Sequence, residues 1–338
     1  MEGRLTMESF MKEYKTDVLI IGGSLEGCIS ALEYRKMGKK VLLVENSGSL
    51  GGAASNGLYV HFPVRELNVM DEREAKYEQL LMEQEEYPCT RNGVLIYDQS
   101  LKVVLQRLLN QTGVKTLTHI YPAKAQTAGD KIVGFRLCCK TGYLDVSADV
   151  IIDATDKMDA AGAAGLQAVP IKKKVKMAVR CNQVSGTAIR AAVSKIAEGD
   201  GYLVGEMALP VVKKTDVLEL SAKRLKVFHN EDCRELILYG LTAQMDEINV
   251  FSLSQARTEL RIFAYELRDL LRKEWEGFNS INIIQTAPGM DCYGLRTYPE
   301  NPYANLILLN NQVTDYSNIQ AVRLGIQAGA VCSDLFQT

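Results

Sequence analysis

Residues 17–45, DVLIIGGSLEGCISALEYRKMGKKVLLVE, leave the chain few ways to fold. DVLIIGG is a short apolar run that ends in two glycines, the pattern of a strand covered on both faces. From Leu25 to Lys36 the spacing turns helical, with Ile29, Ala31 and Leu32 on neighbouring turns, and Gly38 among lysines stops it. VLLVE is a second buried strand. Strand, helix and strand within about 30 residues make one βαβ unit, and its crossover commits the chain to a parallel sheet of α/β type.

The turn inside this unit has the spacing of a phosphate-binding loop. In such a loop the first glycine makes the tight turn, the second lets backbone approach a pyrophosphate, and the third lets helix and strand pack closely. The helix N-terminus adds partial positive charge. Here Gly22 takes the first place, Ser24 the second and Gly27 the third. Gly23 keeps the turn flexible, and the Ser24 hydroxyl is expected to donate to a phosphate oxygen. Glu45 ends the second strand, where a carboxylate can accept the hydroxyls of an adenosine ribose. The expectation is a dinucleotide site. A doubly wound fold whose turn merely happens to be glycine-rich would have to treat Glu45 as coincidence.

Other classes of function are disfavoured. The 338 residues allow one large domain or two ordinary ones, and 47% hydrophobic with 24% charged residues suits a sizeable core. A net charge of −2 gives no reason to expect nucleic acid or an anionic membrane as partner. No apolar window approaches the roughly 18 residues of a membrane span, and the first residues lack a signal-peptide core, so a cytoplasmic location is expected. The basic run at residues 171–176, IKKKVK, reads as a solvated strand or loop edge rather than an anion site. Eight cysteines are dispersed without a CxxC pair, and three histidines show no HxH or HExxH spacing, so no metal is expected. Cys28, just after the turn, reads as small-residue packing, and Trp275 as a core or interface anchor.

Along the rest of the chain, residues 66–87 read as an exposed amphipathic helix or a mobile excursion. Residues 98–113 are a cleaner helix with Leu101, Val104, Leu105 and Leu108 on one face. Residues 114–155 alternate short apolar runs with turns, a β-meander that leads into a buried strand at Val150–Asp153. From about 166 to 284 the pattern changes, with strand-like pieces around a long helix. Residues 305–312 return as a strand. Residues 317–336 form a last helix with small residues at Ala321, Gly325 and 328–330.

After Glu45 comes NSGSLGGAASNGLYVHF, in which small residues suit backbone running beside a large planar cofactor. This stretch resembles the FAD-dependent oxidoreductases of the glutathione-reductase-like fold, within which LGGxxTxGL follows the ribose-binding acid. Gly51, Gly52, Ala53, Ala54, Ser55, Asn56, Gly57 and Leu58 match, with Ser55 in place of Thr. The helix, meander and IDAT stretch at 101–155, LSQARTELR at 253–261, APGMDCYGLRTYP at 287–299 and the closing strand and helix are similar to later parts of that family. The resemblance implies an α/β, Rossmann-type FAD-binding domain with a parallel sheet and β-meander, formed by residues 15–165 and 285–338. A smaller inserted α+β substrate region would span 166–284, joined by 56–95. It implies FAD contacts at Gly22, Gly23, Ser24, Glu26, Gly27, Glu45, Asn46, Gly51, Gly52, Ala53 and Ser55. Further contacts would fall on Ala123 beside adenine, on Ala154 and Thr155, and on Ile319 in the last helix. Three departures stand out: Ser24 for glycine, Asp156 where the family has glycine, and Asn310-Asn311 where it carries Gly-Arg. Asp315 is the candidate replacement acceptor at the flavin end.

A flavin carries the redox chemistry, and the protein supplies position, proton transfer and exclusion of water. His61 and Tyr59 alternate along a strand after the glycine segment, so His61 is either a general base or a packed structural histidine. Arg296, with Tyr293 beside it, lies by likeness on the substrate side. There it would take an anionic group or form a structural ion pair. The leading expectation is an FAD-dependent oxidoreductase that oxidises a small molecule by hydride transfer to flavin N5, reoxidised by oxygen or a partner redox protein. The alternatives are a catalytically silent FAD-binding subunit of a larger flavoprotein complex, and an NAD-binding protein of thiazole-synthase type. A homo-oligomer is compatible with either.

Overall fold

A five-stranded parallel sheet organises the computed structural model, which describes residues 12–63, 71–82, 89–90, 93–199, 201–231, 234–311, 313 and 315–335. Its strands are β1 (Val18–Ile21), β2 (Val41–Glu45), β3 (Lys115–Thr118), β4 (Val150–Asp153) and β5 (Leu306–Leu308). They lie in the order β5-β4-β1-β2-β3, every neighbouring pair parallel.

The unbroken apolar runs of the central strands follow from cover on both faces. Val18, Ile20, Val41, Leu43, Val150 and Ile152 pack with helix α1 (Leu25–Lys36) and its neighbours in one core cluster. Leu19, Ile21, Leu42, Val44 and Ile151 point the other way, against Phe135, Leu137 and Val146. That second face is covered by the meander Tyr121–Ala128, Lys131–Cys139 and Gly142–Ser147, whose strands pair antiparallel in sequence.

On the α1 face lie helix α2 (Asp98–Thr112) and the last helix, α4 (Asn318–Leu335). The small residues of α4 let it press onto α1: a Cβ on Gly325 would lie 2.7 Å from the Ile29 Cβ, and one on Gly329 2.7 Å from the Glu33 Cβ. The Tyr34 hydroxyl donates to the Ala328 carbonyl across the same seam, 3.2 Å.

The charged segment, expected as an exposed amphipathic helix or a mobile excursion, is the former where it is described, and its apolar face is docked. Helix Glu72–Met82 buries Tyr77 and Leu81, and Arg323 of α4 reaches Glu74 at 2.8 Å. Arg73 and Tyr77 both bond Glu33 of α1. Residues 1–11 of the leader and 66–70 and 83–87 of this segment lie outside the described residues.

An eight-stranded antiparallel sheet is built from residues between 174 and 286. Helix α3 (Val250–Glu274) covers one face, burying Ala256, Leu260, Phe263, Ala264, Leu267 and Leu271 at helical spacing. Asn249 and Ser252 close its start as a reciprocal capping box. Trp275 at its end is half-buried and meets the Phe278 ring edge-on at 6.1 Å. The strand expected over 305–312 shrinks to Leu306–Leu308, because the side chains of Asn310 and Asn311 bond neighbouring segments instead of continuing the ladder.

Candidate functional site

The glycine turn is held by its neighbours on both sides. Gly22 has φ 111°, and a Cβ there would fall 2.5 Å from the Ala154 carbonyl carbon at the end of β4. A Cβ on Gly27 would stand 2.2 Å from the Gly22 carbonyl oxygen, so the third glycine is needed for close packing of α1 on the turn. Ser24 is the N-cap of α1: its hydroxyl accepts from the Gly27 N–H at 3.2 Å and donates to the Ala154 carbonyl at 2.8 Å. The structure directs this hydroxyl to the Ala154 carbonyl, where a phosphate oxygen was expected. Serine at an N-cap is the signal that could have told this from the sequence.

Glu45 is buried at the end of β2. Its Oε2 accepts from the Gly23 N–H at 2.6 Å and its Oε1 from the Ser47 N–H at 2.7 Å. An ionised carboxylate has about four acceptor sites, so two remain for a ligand. The LGG segment is pinned beside the turn by the Gly51 N–H, which donates to the Gly23 carbonyl at 2.7 Å. A Cβ on Gly52 would lie 3.0 Å from Ser24 Cα, and the Ser55 hydroxyl donates to the Leu50 carbonyl at 2.5 Å.

These elements wall a cavity of about 660 Å³. Glu45 and Asn46 stand among its lining residues with Gly22, Ser24, Gly52, Ala53, Ala154 and Thr155, and Met290, Cys292 and Tyr293 line it too. Gly23, Gly27, Gly51 and Ser55 support the wall from behind. Ala123 does not line the cavity: it is exposed at an irregularity of its strand, while His119 and Tyr121 do line it. Ile319 is fully buried in α4. Sequence reasoning also missed Asn56, Lys102 and Arg257, and noticed Asp156 only as a departure. Desolvation beside the cavity raises the Asp156 carboxyl above the ordinary range, with Lys157 opposing.

A buried cluster sits at the first turn of α1. Glu26 Oε1 accepts from the Tyr293 hydroxyl and from Asn310 Nδ2, each at 2.8 Å, while Glu26 Oε2 and Asn310 Oδ1 have no partner among the described residues. Burial pushes the Glu26 carboxyl up, against hydrogen bonds from its own backbone N–H, Asn310 and Tyr293. Cys28, on the same turn, is fully buried, and desolvation drives its thiol well above the ordinary value, which suits packing and no reactivity.

His61 opens onto a second cavity of about 700 Å³ between the large sheet and residues 315–317. Desolvation, aided by Lys226, lowers the imidazole to about 4, so the ring is neutral at pH 7. Asp315 lines this cavity, ion-paired with Lys176 at 2.8 Å and Lys172 at 3.2 Å. Those pairs hold its carboxyl below the usual range in spite of desolvation. Two lysines of the basic run at 171–176 are thus engaged rather than merely solvated. Arg296 lines neither cavity; it sits on the short strand Arg296–Thr297 opposite Val169–Pro170, beside Tyr298. Tyr293 does face the first cavity, and its ring lies 5.0 Å from that of Tyr316, which lines the second. Among the described residues no three His, Cys, Asp or Glu side chains gather into a metal-binding group.

A parallel α/β sheet with a nucleotide-sized cavity at its strand ends defines the class of protein. Residues 17–292 match the family model described as FAD dependent oxidoreductase, and the chain belongs to that family. It is an FAD-dependent enzyme. Solved structures with the same fold include a geranylgeranyl bacteriochlorophyll reductase-like protein of Thermoplasma acidophilum, with a TM-score of 0.58 and 14% identity. That match covers 96% of this chain and 79% of the other. The p-nitrophenol 4-monooxygenase of Pseudomonas putida gives a TM-score of 0.64 at 12% identity over 97% of this chain and 81% of that one. An aklavinone-11 hydroxylase, solved with FAD and aklavinone, gives 0.62 at 12% identity over 96% and 63%. At these identities the likeness concerns the fold alone. No curated protein matches the sequence.

The first cavity fits the cofactor's chemistry. Glu45 keeps acceptor capacity for a diol, the start of α1 carries the helix dipole, and the Cβ-free backbone of Gly52 leaves the wall open. Glu26 Oε2 and Asn310 Oδ1, without a partner among the described residues, are buried behind that helix start and do not line the cavity.

Proposed function

We propose that the first cavity is the FAD site of a glutathione-reductase-like nucleotide-binding domain formed by residues 15–165 and 285–338, and that residues 166–284, joined by 56–95, form the substrate region. The observation that carries this reading is one cavity lined both by the Glu45 carboxylate and by Tyr293, with the glycine turn and the start of α1 between them in its wall. The strand order β5-β4-β1-β2-β3 supports it, since ligands of doubly wound sheets lie outside the carboxyl ends of the strands.

In this reading Glu45 accepts the ribose hydroxyls, and the N-terminus of α1 attracts the pyrophosphate. Gly22, Gly52 and Ala53 hold backbone close without side-chain obstruction. FAD, when bound, supplies hydride acceptance at flavin N5. His61 stays neutral and can donate a hydrogen bond to a substrate in the second cavity. Tyr59, Tyr239 and Tyr316 keep water from the substrate. The substrate is a small molecule, and reoxidation by oxygen or by a partner redox protein completes the cycle. Retention of flavin absorbance bands by the purified protein through gel filtration after incubation with FAD tests the assignment. Loss of those bands in Glu45→Ala is the expected control, and bands unaffected by that change would place FAD elsewhere.

The tilted Tyr293–Tyr316 pair between the two cavities favours a second reading, a catalytically silent FAD-binding subunit of a larger complex. Bleaching of the bound flavin by a substrate under anaerobic conditions would decide against it.

A further inference from the structure

We infer that the second cavity binds a planar aromatic molecule with a single anionic oxygen group, a carboxylate or phenolate, seated on Lys226 and His61. Its role as substrate site rests on the FAD reading above; its ligand chemistry rests on the cavity alone. The volume of about 700 Å³ lies within the usual range of small-molecule sites, about 300–1,000 Å³.

The walls are aromatic. Tyr59 meets Tyr239 edge-on at 4.7 Å and Tyr316 edge-on at 5.4 Å, and His61 lies 5.5 Å from Phe228. All five rings line the cavity, so a flat ring entering it finds both faces and edges to pack on.

The charges are not evenly paired. Lys176 is matched by Asp315 at 2.8 Å and Asp291 at 3.9 Å, and Lys195 by Glu206 at 3.1 Å. Lys226 alone of the lining lysines has no carboxylate within 4.0 Å among the described residues; its Nζ donates to the Tyr59 hydroxyl at 2.9 Å. Beside it His61 Nε2 is buried without a hydrogen-bond partner. One anionic oxygen group satisfies both vacancies, since it accepts from the Lys226 ammonium and selects the imidazole tautomer with its proton on Nε2. The carboxylates that line the cavity, Asp315 and Glu206, are already paired and would repel a second negative charge, so the ligand is a monoanion.

The test is calorimetric titration of the FAD-loaded protein with benzoate, 4-cyanophenolate and the neutral isostere benzamide. At least one anion should bind about tenfold or more tighter than benzamide, which corresponds to about 1.4 kcal/mol. The anion that does so identifies the oxygen group. Lys226→Met and Lys226→Gln should abolish the preference and leave flavin content unchanged. Equal binding of all three compounds, or a preference that survives both variants, would overturn the proposal. Protein that retains no flavin would refute the cofactor reading instead, and the same titration on that protein still decides the anion preference.

Discussion

The hydroxyl of Tyr293 donates to Glu26 Oε1 at 2.8 Å, which joins the first turn of α1 to a loop 267 positions later in the chain. With Asn310 on the same oxygen, this bond holds a carboxylate at the positive end of a 12-residue helix dipole. Burial raises that carboxyl, and a pyrophosphate drawn to the helix start meets a negative charge once it is ionised. Glu26→Gln keeps an acceptor for Tyr293 and Asn310 and removes that charge, so at a pH above the carboxyl's titration FAD should bind about tenfold tighter, or about 1.4 kcal/mol. Quenching of FAD fluorescence on titration measures it. Weaker binding in the variant would mean that the carboxylate supports the cofactor rather than opposes it.

Glu45 has the opposite expectation. Both of its oxygens accept backbone N–H bonds, from Gly23 and Ser47, and hydrogen bonds to a charged group contribute about 1.5–3 kcal/mol each. Glu45→Ala should therefore lower the urea midpoint of the apo-protein and weaken FAD by more than about tenfold. Glu45→Gln should lose less of both, because its one carbonyl oxygen still accepts. The two variants are ranked by chemical denaturation and by the same fluorescence titration.

These two acids show what the sequence carries and what it hides. Glu45 was legible because a strand of apolar residues ends on it and the glycine turn precedes it at fixed spacing. The same periodicity located β1, β2, α1 and the small-residue face of α4. Ser24 was legible in place but not in role, since hydroxyl direction depends on Ala154 of a strand 130 positions away. Glu26, Tyr293 and Asn310 were each singled out in the sequence but not as one cluster, because side-chain bonds between distant loops follow no period. Arg296 and Ala123 were placed by resemblance, and local pairing, with Pro170 for one and an irregular strand for the other, keeps both out of the cavity wall.

His61 makes stability depend on acid in a defined window. Its imidazole is held at about 4 by burial and by Lys226, below the unfolded value of about 6.5. For a depressed histidine the contribution is fully present above the unfolded value and is lost as pH falls through the window to about 4. The linked loss is on the order of 3 kcal/mol. The stability difference between His61→Phe and wild type should shift toward the variant by about that amount between pH 7 and pH 4, read from urea midpoints. The chain has only three histidines, so their ring resonances can be followed by NMR; in Lys226→Met the His61 titration should move upward. A pH-independent difference between variant and wild type would show that the ring is not held neutral.

Gly325 tests whether the packing of α4 on α1 positions the cofactor turn. A Cβ there would lie 2.7 Å from the Ile29 Cβ and 2.8 Å from the Glu26 carbonyl oxygen, closer than real Cβ atoms approach, and both atoms belong to α1. Alanine gains up to about 1 kcal/mol of helix propensity over glycine, whereas overpacking a fitted core costs about 1–3 kcal/mol, so the steric effect wins. Gly325→Ala should lower the urea midpoint. Relief of the clash requires α1 to move away from α4, which carries Glu26 and the capped turn with it. FAD affinity should therefore fall in the folded variant. Gly129 is the matched control for cost without coupling: φ is 62° and nothing lies within 4 Å of its Cβ position, so Gly129→Ala should cost stability through backbone strain alone and leave FAD affinity unchanged. Equal FAD binding by both variants, measured well below their unfolding midpoints, would show that the turn holds its geometry independently of the last helix.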